Sequence, residues 1–274
     1  MTEDWPQSAE IVDRLAAVDG VVGVVLGGSR ARGTNSPASD YDFGVYYEAD
    51  RLDLSALGRV ARELDDEHRS DLIAPPGGWG NWVNGGGWLV VDGRPVDIIL
   101  RDIARVELAV ADCQAGRVHM HYQTGHPHAY VNVMYAGELA IAKNLRDDSG
   151  RLRELQAKTV PYPPETKKAL IHFFGFEAGF SLMLARASAD GRDDFYVMAH
   201  IARALACLNQ VLFAVNEEYC INEKNAVRMI DSFPVKPENY GARVTQIVSQ
   251  TGAATASACH GLEALLCETR TFYT

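Results

Sequence analysis

The stretch GGSRARGTNSPASDYDFGV, residues 27–45, decides how this chain is read. It begins where GVVGVVLG, residues 20–27, ends; that apolar run predicts a buried strand. Gly27 and Gly28 at the strand's end permit a sharp turn and a close approach of backbone to a ligand. Ser29 adds a hydroxyl and a neighbouring N–H suited to phosphate oxygens. Such turns alone are a weak signal. What raises this one is the pair Asp40 and Asp42 at the start of YDFGVYY, a second predicted strand. Residues two apart on a strand project from one face, so both carboxylates point together beside the turn. Like charges held that close need neutralising, which a hard divalent cation does.

Working outward, a third carboxylate joins them. Asp97 lies in RPVDIILRD, otherwise an apolar strand pattern, and a buried Asp there must be paired, hydrogen-bonded or metal-bound. Asp92-Gly93 predicts the turn of a hairpin between GWLVVDG and RPVDIIL. Helical spacing appears in SAEIVDRLAAV (residues 8–18), LSALGRVARELDDEH (54–68) and DIARVELAVADC (102–113). Together these predict an α/β layer. Beyond roughly residue 129 the β pattern fades and long helical patterns dominate, among them residues 163–189, 193–219, 238–250 and 254–270. The expected organisation is an α/β domain over residues 1–115, followed by an all-α helical bundle over 116–274.

Bulk properties narrow the chemistry. The 274 residues carry a formal net charge of -10, which disfavours a nucleic-acid substrate held by phosphate contacts. The five cysteines form no C-x-x-C pair, and MTEDWPQSAE lacks the apolar stretch of a signal peptide. No run approaches the ~18 apolar residues of a membrane helix. A soluble, cytoplasmic protein without a membrane partner is expected.

Gly28-Ser29, Asp40-Tyr41-Asp42 and a later Asp97 resemble the signature of the nucleotidyltransferase superfamily typified by DNA polymerase beta. The likeness covers roughly residues 10–113. With a helical bundle after it, the chain also looks like the small-molecule branch, the kanamycin and lincosamide nucleotidyltransferases. The resemblance implies a mixed sheet flanked by helices, and two Mg²⁺ ions held by Asp40, Asp42 and Asp97. It implies ATP or another nucleoside triphosphate as donor, held by Gly27, Gly28, Ser29 and Ser39, with Arg30 and Arg32 either contacting the triphosphate or solvated in the loop. The hydroxyl of a small-molecule acceptor would attack the α-phosphorus, Asp97 taking its proton and pyrophosphate leaving. The alternatives are a protein-modifying or antitoxin-type relative, whose toxin partner's Arg-x4-6-His motif has no counterpart in the helical half, and a degenerate nucleotide-binding regulator.

Other features leave two readings each. HMHYQTGHPHAY, with His119, His121, His126 and His128, is either an interdomain segment facing the cleft or a plain exposed loop; zinc sites usually mix in other ligands at tighter spacing. GGWGNWVNGGGW is a flap offering Trp79, Trp82 and Trp88 for stacking, or a long hairpin end. Kanamycin-type enzymes use a Glu and a Lys near Glu138 and Lys143. Five residues apart, these two share a face only if a helix ends between them; a solvent-facing pair is the preferred reading, and Glu138 is the reserve base to Asp97. The aromatic helices after Pro163 read as bundle core, any surplus apolar face allowing two chains to pair as a homodimer.

Overall fold

Two alternating runs, YDFGVYY and RPVDIILRD, set the architecture, because the pleat sends successive side chains to opposite faces. In the computed structural model, which describes residues 5–189 and 193–273, they form β2 (Tyr41–Tyr47) and β4 (Arg94–Asp102). They pair in parallel, while β1 (Val21–Leu26), β3 (Gly85–Val91) and β7 (Lys143–Arg146) add antiparallel neighbours. The order β3-β4-β2-β1-β7 makes the mixed sheet expected from the sequence. Residues 1–4 of the acidic N-terminal segment lie outside the described residues.

One face of the sheet is buried. Phe43, Val45, Val96, Ile98 and Leu100 pack in one core with Ile11 and Leu15 of α1 (Gln7–Ala16) and Leu57 and Ala61 of α3 (Leu54–Leu64). Each of these side chains is almost fully withdrawn from solvent, worth roughly 1.5–3 kcal/mol for each larger one. The alternate residues Asp42, Gly44 and Tyr46 on β2, and Asp97, Ile99 and Arg101 on β4, therefore occupy the other face. Between the strands, α2 (Gly28–Arg32) is a single helical turn inside what the sequence suggested was an irregular connection. Asp92 and Gly93, with φ of 52° and 69°, make the hairpin turn expected between β3 and β4.

The chain divides into two compact units, and the division departs from the expected boundary at 115/116. The first unit holds residues 1–111, 121–125 and 135–161; the second holds 112–120, 126–134 and 162–274. Residues 135–161 join the first unit because β7 is hydrogen-bonded to β1 as the sheet's edge, between α5 (Val133–Ile141) and α6 (Arg151–Gln156). β7 reads KNLR, exposed at both ends, so it carries no apolar alternation that would mark it as a strand. The remaining elements of this middle part are α4 (Ile103–Gln114) and the short strands β5 (Met120–His121) and β6 (Tyr130–Val131).

The second unit is the expected helical bundle. α7 (Pro164–Ala187) and α8 (Asp194–Val215) pair along their lengths, with α9 (Ala226–Ile230), α10 (Tyr240–Gln250) and α11 (Thr255–Arg270) beside them. Contrary to the sequence reading, α7 and α8 are each long and apolar enough to cross a membrane by length and composition. Averaged hydropathy tolerates the scattered polar residues that break an uninterrupted run. In α8, 61% of the apolar window is buried inside the structure, as in a core helix. The aromatic residues of α7 are not all core: Phe174 is fully buried, but Phe173, Phe176, Phe180 and Met183 are exposed.

Candidate functional site

The site is built from a row of residues running across the sheet. Asp42 on β2 stands opposite Asp97 on β4, and Asp97 stands opposite Trp88 on β3. On the other side of Asp42, the Gly27 N–H donates to the Asp42 carbonyl at 2.8 Å. Laterally paired residues share a face, so the two carboxylates lie side by side on the face away from the core.

Gly28 is part of that geometry. Its φ is +59°, and a Cβ there would lie 1.8 Å from Asp42 Oδ2. Only glycine lets the turn after β1 pass this close to the carboxylate. Ser29 follows in the first turn of α2, where N–H groups have no intrahelical partner and face outward.

The carboxylates carry an electrostatic cost. Burial, then the charge of Asp40, pushes the Asp42 carboxyl above its ordinary range, and Arg30 pulls it partly back. Burial, then Asp42 and Asp40, pushes Asp97 up to about 6. Among the described residues, none of the three forms an ion pair. The three-way cluster expected from the sequence is only partly assembled: no three His, Cys, Asp or Glu side chains among the described residues already converge as a metal-binding group. Asp42 and Asp97 are the adjacent pair, and Asp40, just before β2, acts on both through its charge. Uncompensated carboxylate oxygens are the hard donors that a divalent cation takes, so the residues fit such an ion by their chemistry.

Ser39, expected on the triphosphate, and Arg30, expected there or in solvent, are engaged within the connecting loop. Arg30 Nη2 donates to the Ser39 carbonyl at 2.7 Å, and Nε to the Asp40 carbonyl at 3.1 Å. Its guanidinium lies 3.7 Å from the centre of the Tyr41 ring. Ser39 Oγ accepts from the Ser36 N–H at 2.9 Å. Arg30 thus straps down the backbone that carries Asp40. Arg32 ends α2, half-buried.

Of the expected solvent-facing pair, Lys143 is exposed, whereas Glu138 is half-buried and paired. α5 ends at Ile141, between them, which frees their directions. Glu138 takes Arg101 in a two-pronged ion pair, Nε–Oε2 at 2.7 Å and Nη2–Oε1 at 2.8 Å. Arg101, on the functional face and 4% exposed, also donates to the Val83 carbonyl. Glu138 is therefore Arg101's counter-charge, which displaces it as the reserve base. Lys143 Nζ donates to the Arg30 carbonyl at 3.1 Å, reaching the turn of α2. The sequence held a signal for the first contact: Arg101 falls in phase with Asp97 on a buried strand and so demanded an acidic partner.

The glycine-rich segment is anchored rather than flap-like. Asn84 Nδ2 donates to Tyr47 Oη at 2.7 Å, and the Gln123 side chain bonds the backbone of Trp79 and Trp82. Trp82 stacks on His121, centroids 3.9 Å apart. Trp79 stacks on Trp88 at 4.5 Å. The other histidines take separate partners: His126 bonds Glu223 at 2.9 Å, His119 lies 3.6 Å from Asp112, and His128 faces Cys207.

Residues 7–114 match the family model described as a nucleotidyltransferase domain. This part of the chain is a nucleotidyltransferase domain. A solved nucleotidyltransferase-like protein from Exiguobacterium sibiricum is similar at 11% identity, with a TM-score of 0.45, over 97% of this chain and 76% of that one. No curated protein matches the chain. The matched residues take in Gly28, Ser29, Asp40, Asp42 and Asp97, so the face described above is that of the nucleotidyltransferase domain.

Proposed function

We propose that this protein moves a nucleoside monophosphate, AMP in the first instance, from a triphosphate onto a hydroxyl of a small molecule, like the small-molecule branch of its superfamily. The observation that carries this reading is the Asp42–Asp97 pair, two half-buried carboxylates in register beside a turn that only glycine can make. A structural role for that pair would call for a cationic partner, and neither residue has an ion-pair partner among the described residues.

Asp42 and Asp97, with Asp40 beside them, would hold Mg²⁺, which when bound supplies charge neutralisation to the triphosphate and leaving group. The N–H groups of Gly28 and Ser29 hold phosphate oxygens, Lys143 adds positive charge at the same turn, and Arg30 fixes the Asp40 backbone. Asp97 receives the proton of the acceptor hydroxyl as its oxygen bonds to the α-phosphorus. The bond from that phosphorus to the bridging oxygen breaks, and pyrophosphate leaves. Rate enhancement comes from alignment and fixed charge. The five cysteines, none of them in a disulfide, fit work in the reducing cytoplasm.

Calorimetry with ATP, GTP, CTP and UTP, with and without Mg²⁺, tests the reading on wild type and Asp42→Asn. Metal-dependent binding lost in the variant is the expected result. Failure of every triphosphate to bind wild type would sink it.

A further inference from the structure

Trp88 has no place in the mechanism above, yet it belongs to the same row. Across the sheet the order is Gly27, Asp42, Asp97, Trp88. Strands lie about 4.8 Å apart, so Trp88 stands one strand from Asp97 and about 10 Å from Asp42. Trp88 is 62% exposed, although Trp79 stacks on its ring at 4.5 Å with 22° between planes. The pair is held from behind: a Cβ at Gly86 would strike the Trp79 ring at 2.8 Å, so the glycine makes room for it. A rigid, flat aromatic wall thus borders the carboxylates on the side away from the phosphate turn.

We propose that Trp88, backed by Trp79, is the surface on which the acceptor lies, and that the acceptor is a hydroxylated ring whose flat face covers the indole. The inference rests on the proposed function, since that is what places an acceptor hydroxyl at Asp97. The donor's phosphates occupy the Gly27–Gly28 side of Asp42. A molecule reaching Asp97 from the opposite side crosses β3, where Trp88 is the exposed side chain beside Asp97. A ring presents a hydroxyl at its rim and apolar C–H groups on its face, which suits a carboxylate next to an indole. A flexible chain would lose more freedom on binding and cover less of the ring. An isolated surface tryptophan needs no explanation. One stacked on a second tryptophan, in register with the proposed base, is a built surface.

The test uses Mg·ATP with methyl glucoside and myo-inositol as ring acceptors and sorbitol as the open-chain control, reading pyrophosphate release. Wild type should use a ring compound in preference to sorbitol. Trp88→Ala should raise the ring compound's KM by about ten-fold or more, leaving kcat within about three-fold and Mg·ATP affinity unchanged. Trp88→Phe, which keeps a flat ring, should restore KM to within about three-fold, and thermal melts confirm folding. An unmoved KM in Trp88→Ala overturns the proposal, as does equal use of sorbitol or no turnover of either ring compound. Weakened Mg·ATP binding in Trp88→Ala overturns it too, because the donor's base would then occupy the wall. If wild type binds no Mg·ATP, the functional reading itself has failed, an outcome separate from all of these.

Discussion

Asp42 and Asp97 are direct neighbours on the parallel strands β2 and β4, their carboxyls both raised, Asp42 by burial and then the charge of Asp40, Asp97 by burial and then the charges of Asp42 and Asp40. Parallel strands rarely keep two acids in register without a counter-charge, because the repulsion opposes folding. Asp42→Asn and Asp97→Asn should each lower turnover by at least about a hundred-fold while leaving the unliganded protein at least as stable. Steady-state rates paired with thermal melts check both halves. A variant that loses stability along with activity would make the pair structural.

Gly28→Ala places a methyl group against Asp42 Oδ2 in a left-handed backbone position. Gly33→Ala is the matched control, since its φ is +73° with nothing within 4 Å of the added Cβ. Both should cost about 1 kcal/mol of stability through backbone conformation. Nucleotide binding should fall only in Gly28→Ala, as calorimetry would report. Equal binding losses would detach Gly28 from the site.

Glu138 answers a different question. Its partner Arg101 has a side chain only 5% exposed, so Glu138→Gln leaves a buried charge short of its counter-ion. The expected loss is about 3 kcal/mol by chemical denaturation, and an Arg101→Met, Glu138→Met double variant should recover most of it. Unchanged stability in Glu138→Gln would return Glu138 to the list of bases.

Asp65 provides a pH signature away from the site. Its buried carboxylate accepts from Arg69 Nη2 at 2.5 Å, Arg69 Nε at 2.9 Å and the Val90 N–H at 3.0 Å. The bond to Arg69, opposed by burial and helped by the Val90 N–H, holds its pKa well below the usual carboxylate range. The folded pKa is the lower one, so the stabilisation is fully present above the unfolded value near 4 and fades as pH falls below it. Asp65→Asn should flatten that acid limb in denaturation curves from pH 6 down to pH 2. An unaltered limb would assign the pH dependence elsewhere.

Much of this was legible in the chain. Period-two spacing announced that Asp40 and Asp42 share a face, and Asp92-Gly93 announced the hairpin. Local patterns could not show which strand Asp97 would meet, since β2 and β4 are separated by α3 and β3 and their register is a long-range outcome. β7 escaped because an edge strand of polar residues has no apolar period. Arg30 stays open between the triphosphate and solvent in the sequence, because its charge is visible there and the two carbonyls it binds are not. The exposed phenylalanines of α7 were read as core because apolar residues surround most of that helix, leaving no periodic cue to its outer side.

The crosswise row also determines how this protein can lose its chemistry. Since β3, β4, β2 and the end of β1 each contribute one member, sliding any strand by one residue would turn its contribution toward the α1–α3 core and bring an apolar side chain out. The hydrophobic layer on the reverse therefore acts as the alignment gauge of the front. Mutations that loosen the core would first lower the amount of folded protein, while each folded molecule kept its site in register. Inactive yet fully folded descendants are then expected to arise by replacement at single positions of the row.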